Sequence, residues 1–112
     1  MMKIYHNPRC QISRKTLKLI LDKGFNPKII LYMKNKLGKV ELENLVRKLK
    51  ISPINLFRKN EKLFKVLNIS KMKDDKLIKI MVENPKLIQR PIVEIEDKAI
   101  ICRPPEKINC IL

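Results

Sequence analysis

The 112-residue chain has no apolar run that approaches the roughly 20 residues needed to span a membrane. Its longest apolar runs, such as residues 29–33, have the length of a single strand. The N-terminal residues include neither a long apolar region nor a small-residue cleavage site. No signal peptide is therefore predicted, and we expect a cytoplasmic protein that makes no use of a membrane.

Cysteine, histidine and aromatic residues are all scarce. The chain has three Cys, one His and no Cys-x-x-Cys, which argues against a disulfide framework, a zinc knuckle and a dithiol redox pair. His6 and Cys10 are too few to complete a metal site, so no metal is predicted. No aromatic residues alternate with basic ones to stack on nucleic-acid bases. The aromatic residues all fall in patterns typical of a core: Tyr5, Phe25, Tyr32, Phe57 and Phe64.

Acidic residues are few, with 11 against 26 basic ones, and the net charge is +15 at pH 7. Such a charge first suggests a nucleic acid or a membrane surface as partner. However, most of the basic residues are lysines, and they are spread along the whole chain. We therefore interpret them as solvated faces and expect no nucleic-acid partner. The arginines are more informative, because a planar guanidinium suits oxyanions better than an ammonium does.

The hydrophobic pattern predicts one α/β domain over residues 1–112, in the order β-α-β, helical insert, β-β-α. The first helix should span about residues 11–23, ending before Gly24, and the insert about residues 39–85. Strands are predicted at residues 3–5, 28–33, 91–95 and 98–101. The second strand should be buried, because it is apolar throughout, and parallel to the first. The last two strands should form an antiparallel hairpin.

Cys10 is the predicted nucleophile. It stands just after a strand and at the start of a helix, where backbone N–H groups and the helix dipole stabilise a thiolate. Arg9 and Arg14 add positive potential, and the hydroxyl of Ser13 can donate to a thiolate but cannot form a disulfide. His6, on the same loop, is a candidate to orient the loop or shuttle a proton. The alternatives are an inert buried cysteine and a structural loop histidine.

Three further arginines stand at the ends of predicted elements. Arg58 follows two apolar residues, Arg90 precedes a strand and Arg103 follows one. If these ends share one rim of the fold, the three side chains could converge on an oxyanion through bidentate hydrogen bonds. Alternatively, each of the three arginines could lie on the surface, apart from the other two. Cys102 and Cys110 have no comparable setting, and we expect them to be core or incidental residues.

Six stretches of the chain, in this order, resemble the glutaredoxin-dependent arsenate reductase family. They are His6-Asn7-Pro8-Arg9-Cys10 with Ser13-Arg14, Ile29-Ile30-Leu31-Tyr32, Leu56-Phe57-Arg58-Lys59-Asn60, Asp74-Asp75 with Leu77-Ile78, Leu87-Ile88 with Arg90-Pro91-Ile92-Val93, and Ile101-Cys102-Arg103-Pro104. The ordered set spans essentially the whole chain. The resemblance implies a thioredoxin-like fold: a mixed four-stranded sheet flanked by helices, with the helical insert between its second and third strands.

The resemblance also implies which residues act. Arg58, Arg90 and Arg103 would bind the oxyanion, and His6 would assist the cysteine. Ser13 is a further candidate for substrate binding. Pro91 would have a structural role, following a cis peptide bond that faces the loop before the cysteine.

The implied substrate is arsenate or a similar oxyanion, and no bound cofactor is implied. The thiolate of Cys10 would attack arsenic, and glutathione would condense on the adduct as a co-substrate. Glutaredoxin would then supply a thiol for the mixed disulfide, and arsenite would be released. Thr16 stands six residues after Cys10, which excludes the Cys-x5-Arg loop of the phosphatase-like arsenate reductases.

Three alternatives remain open. One is a redox regulator similar to the Spx-type proteins that bind RNA polymerase, although those generally carry Cys-x-x-Cys and this chain has Ser13. Another is a family relative that acts on glutathione-linked thiols without arsenate activity. Gln11 and Ile12 stand where the family commonly has Gly-Thr. A glycine there would let the backbone approach an anion closely, so Gln11 bears on whether arsenate can enter the site. The third is a nucleic-acid-binding module.

Overall fold

The computed structural model describes residues 1–112, which form two compact units. Met1–Asn35 and Arg90–Leu112 form the first unit, and Lys36–Gln89 forms the second. The second unit includes the whole of the predicted insert, residues 39–85, with a few residues more at each end. The organisation of the chain as a single domain stays a prediction.

A four-stranded mixed sheet organises the first unit. Its strands are β1 Met2–Tyr5, β2 Lys28–Ile30, β3 Ile92–Ile95 and β4 Lys98–Ile101. They lie in the order β2-β1-β3-β4. Strands β1 and β2 are parallel, whereas β1–β3 and β3–β4 are antiparallel. The predicted α/β class and the mixed four-stranded sheet are confirmed.

Helix α1, Gln11–Asp22, connects β1 to β2 and covers the sheet. It ends at Lys23, and Gly24 follows with φ of 87°, a conformation that glycine adopts without steric cost. The apolar face of the helix packs on the two central strands and on a 3-10 helix at Pro105–Cys110. Five residues with 0% exposure form the centre of this core: Ile4, Ile20, Val93, Cys102 and Ile108.

The second unit is helical. Its α-helices are α2 Lys39–Leu49, α3 Lys62–Val66 and α4 Asp74–Glu83. Shorter 3-10 helices lie at Pro53–Leu56, Ile69–Lys71 and Pro85–Leu87. Apolar residues at helical spacing on α2 and α4 are buried, as expected for amphipathic helices. None of the helices in either unit combines the length and the apolar character that crossing a bilayer requires.

Two expectations about burial are wrong. Strand β2 was expected to be buried, but it has three residues, lies at the edge of the sheet and leaves Ile29 47% exposed. An edge strand has one neighbour instead of two, and the apolar run continues past Ile30 into a turn. Phe25 was placed in a core pattern but is 43% exposed, because it follows the end of α1 instead of lying on its buried face.

Candidate active site

A short loop carries Cys10 from the end of β1 to the start of α1. The N–H of His6 donates to the carbonyl of Ile30 at 2.9 Å, which anchors the loop to the end of β2. The N–H of Cys10 donates to the carbonyl of Asn7 at 3.0 Å, and the carbonyl of Cys10 accepts the N–H of Arg14 at 3.0 Å. Cys10 is the N-cap residue of α1 and is partly exposed, so its thiol lies at the positive end of the helix.

The pKa of Cys10 is below the ordinary value of a cysteine thiol. Partial burial alone would raise this pKa, but three groups of donors outweigh it. The backbone N–H groups of Ser13 and Ile12 hydrogen-bond the sulfur, and the Arg90 side chain adds a hydrogen bond and a positive charge. All of these interactions favour the thiolate over the thiol. At a given pH, a larger fraction of Cys10 is therefore thiolate than for an ordinary cysteine.

Two of the predicted arginines lie beside this sulfur. Arg103 Nη1 is 4.0 Å from Cys10 Sγ and donates to the Arg90 carbonyl at 2.9 Å. The Arg90 Nε atom is buried and has no hydrogen-bond partner. The peptide bond between Arg90 and Pro91 is cis, the isomer that the resemblance implies, and so is the bond between Arg103 and Pro104. Residues more than 75 positions apart in the sequence thus meet at one thiol.

Arg58 lies in the second unit. Its Nη1 donates to Glu61 Oε1 at 2.7 Å, and its backbone N–H donates to the Leu87 carbonyl at 2.7 Å. These contacts fix the arginine between α3 and the end of the 3-10 helix at Pro85–Leu87. Its part in an oxyanion site stays a prediction.

The Ser13 side chain is engaged differently from what we expected. Its hydroxyl was predicted to donate to the thiolate, but it lies 2.6 Å from His6 Nδ1 and accepts the Asn7 N–H at 3.1 Å. The residue is fully buried. It acts on Cys10 through its backbone N–H instead.

His6 is buried, and its pKa is lowered by that burial and by the positive charge of Arg14. The imidazole is therefore neutral near pH 7. Which of His6 Nδ1 and the Ser13 hydroxyl donates to the other depends on the tautomer of the imidazole. The Nε2 atom makes no hydrogen bond within the protein.

The other two thiols have different settings. Burial raises the pKa of Cys102 to about 12, an effect increased by Cys110 and partly offset by Lys107. Cys102 belongs to the core of the first unit, whereas Cys110 is exposed. The structure contains no cluster of three or more His, Cys, Asp or Glu side chains suited to a metal ion.

Sequence reasoning missed the residues that shape the loop. Asn7 Oδ1 accepts the Arg9 N–H at 3.0 Å, and Arg14 Nη1 donates to the Pro8 carbonyl at 2.8 Å. The available signal was the Asn-Pro pair, which is typical of turns stabilised by an asparagine side chain.

The order of the sheet and a cysteine at the N-terminus of the first helix define a thioredoxin-like protein. The ArsC family model matches residues 5–111. The uncharacterized protein YfgD of Escherichia coli K12 is 44% identical over 110 residues, which cover 96% of this chain and 92% of that protein. An arsenate reductase of Haemophilus influenzae is 41% identical over 112 residues, and the alignment covers 97% of each chain.

A solved structure of an arsenate reductase from Vibrio cholerae is also similar. It aligns with a TM-score of 0.95 and 40% identity, covering 99% of this chain and 97% of that one. The chain belongs to the ArsC family, which confirms the arsenate reductase resemblance and the thioredoxin-like fold.

Proposed function

We propose that the protein is an arsenate reductase that uses Cys10 as nucleophile, glutathione as co-substrate and glutaredoxin as the final thiol donor. The observation that carries the proposal is the lowered pKa of a partly exposed thiol beside two arginines. Relatives from Haemophilus influenzae and Vibrio cholerae that are named arsenate reductases support the choice of oxyanion.

The chemistry balances with two thiols for each arsenate. The Cys10 thiolate attacks arsenic(V) and one oxygen leaves as water, which gives an arsenic–sulfur adduct. Glutathione then condenses on arsenic with loss of a second water, which gives a second arsenic–sulfur bond. A sulfur–sulfur bond forms as both arsenic–sulfur bonds break, and one water adds back to arsenic. One bonding electron pair stays on arsenic, which falls from +5 to +3, while each sulfur loses one electron. Overall, arsenate and two thiols give arsenite, one water and the Cys10–glutathione mixed disulfide.

Arginines suit the first step because arsenate carries negative charge and develops more at its oxygens during attack. Arg90 and Arg103 would bind those oxygens in addition to stabilising the thiolate. Arg58 would complete the set, as the resemblance implies. His6, neutral and held by Ser13, would assist Cys10 from the same loop.

The mixed disulfide needs an external thiol. The residue three positions after Cys10 is Ser13, which cannot form a disulfide, and Cys102 is buried with a pKa of about 12. A thiol of glutaredoxin would attack the glutathione sulfur and return Cys10 as a thiolate.

A second candidate function is thiol chemistry on glutathione-linked substrates without arsenate turnover. Gln11 and Ile12 favour it, because they occupy the helix N-terminus where smaller residues would let the backbone approach an anion closely.

The test is turnover of arsenate by the purified protein with glutathione and glutaredoxin, measured as arsenite formed. We expect turnover by the wild type, none by Cys10→Ser, and wild-type turnover by the matched control Cys110→Ser, whose thiol is exposed and outside the site. If arsenate is not reduced but glutaredoxin still releases glutathione from Cys10, the second candidate is correct. If neither reaction occurs, both are wrong.

A further inference from the structure

A cavity of about 310 Å³ lies in the first unit, next to the loop that carries Cys10. The loop forms one side of it, and the segment after β2 forms the other. The lining side chains that matter for the argument are His6, Pro8, Arg9, Leu31, Met33 and Lys34. The volume is at the lower end of the range for small-molecule sites, roughly 300–1,000 Å³.

The charged residues that line the cavity are both basic, and three of the others are apolar. Arg9 and Lys34 contribute positive charge, no lining residue is acidic, and neither side chain makes an ion pair with a carboxylate. Pro8, Leu31 and Met33 supply apolar surface, and Met33 is 43% exposed. A ligand that fits would be small, would carry carboxylates and would have aliphatic parts between them.

His6 adds a polar ring nitrogen to this cavity. Its Nδ1 lies 2.6 Å from the buried Ser13 hydroxyl, which leaves Nε2 as the ring nitrogen available to a ligand. His6 lines the cavity together with Arg9 and Lys34. With its proton on Nε2, the neutral imidazole would donate to a carbonyl or carboxylate oxygen.

We propose that this cavity binds glutathione through its carboxylates, with Arg9 and Lys34 as the cationic partners. The inference rests on the proposed function, which requires a tripeptide thiol to reach the Cys10 sulfur. Glutathione has a carboxylate at each end and its thiol in the middle. Arg9 directly precedes Cys10 in the loop, so a tripeptide bound at Arg9 would lie beside the segment that carries the Cys10 sulfur.

The test uses S-methylglutathione, which keeps both carboxylates but cannot react, and requires no arsenate. Its dissociation constant is measured by calorimetry or NMR titration with wild type, Lys34→Glu and Lys98→Glu. Lys98 is an exposed lysine on β4, at the opposite edge of the same sheet, so its variant has the same change in net charge. We expect at least a tenfold weaker binding for Lys34→Glu and less than a twofold change for Lys98→Glu.

A second variant tests the cavity without a change of charge. Met33→Trp should fill the space and weaken S-methylglutathione binding, while the Cys10 thiol titrates as in the wild type. In turnover assays, Lys34→Glu should raise the KM for glutathione and leave the KM for arsenate unchanged.

The outcomes separate this inference from the proposed function. If S-methylglutathione binds and depends on Lys34 but arsenate is not reduced, the cavity assignment stands and the arsenate reductase proposal is wrong. If arsenate is reduced but Lys34→Glu and Lys98→Glu bind S-methylglutathione equally well, or if the wild type does not bind it at millimolar concentration, the cavity assignment is overturned.

Discussion

At the scale of single residues, the state of the Cys10 thiol depends on Arg90. Its hydrogen bond and positive charge favour the thiolate, against a burial effect that favours the thiol. Removing the guanidinium charge in Arg90→Gln should therefore raise the pKa of Cys10. At neutral pH the variant should hold less thiolate and react more slowly with iodoacetamide. The measurement is the ultraviolet absorbance of the thiolate, followed from acid to alkaline pH.

The control for this prediction is Arg47→Gln, because Arg47 is exposed on α2 and contacts Asn44 at 3.4 Å. Both variants should be made with Cys110→Ser, so that the exposed thiol does not titrate with Cys10. An identical titration of Cys10 in Arg90→Gln and in Arg47→Gln would show that Arg90 does not stabilise the thiolate.

The place of Cys10 at a helix N-terminus could be predicted from the sequence, because a strand, a turn and an amphipathic helix are local patterns. The contacts of Ser13 could not be predicted from the sequence. Which group faces the sulfur depends on the direction of side chains on the first helical turn, and on burial of His6 beside it. The meeting of Arg90, Arg103 and Cys10 depends on strand order, which sequence periodicity does not contain.

At the scale of elements, the two neighbouring strands β1 and β2 differ in burial. Ile4 and Ile29 are register partners, yet Ile4 is 0% exposed and Ile29 is 47% exposed. Ile4→Ala should lower the free energy of unfolding by about 2–5 kcal/mol, because it leaves a cavity in the core. Ile29→Ala, the matched control, should cost less than about 1 kcal/mol, because nearly half of Ile29 is already exposed to water. Urea unfolding measures both.

Equal losses from the two substitutions would mean that β2 is covered on both faces and is not an edge strand. The prediction from sequence failed here for a physical reason. An apolar run of strand length indicates burial only when it has neighbours on both sides, and the number of neighbours is fixed by the order of strands in the sheet. The type and sequence order of the elements, in contrast, followed from local periodicity and from turn residues such as Gly24 and Pro85.

At the scale of the whole molecule, the excess of lysine determines how stability responds to salt. With a net charge of +15, the basic side chains repel one another most strongly in the compact folded state. This repulsion weakens when the chain expands on unfolding. Raising sodium chloride from about 10 mM to about 150 mM shortens the Debye length from about 30 Å to about 8 Å. We therefore expect the Tm to rise over this range, measured by circular dichroism at pH 7.

The matched control reduces the charge without touching the candidate site. Lys15 and Lys98 are exposed and make no ion pair, so the double variant Lys15→Glu, Lys98→Glu lowers the repulsion and should show a smaller rise of Tm. A fall of Tm with salt in the wild type would mean that attractive pairs, such as Lys18 with Asp22 at 2.8 Å, outweigh the repulsion. Because exposed pairs of this kind contribute about 0–1 kcal/mol each, we expect the repulsion to dominate.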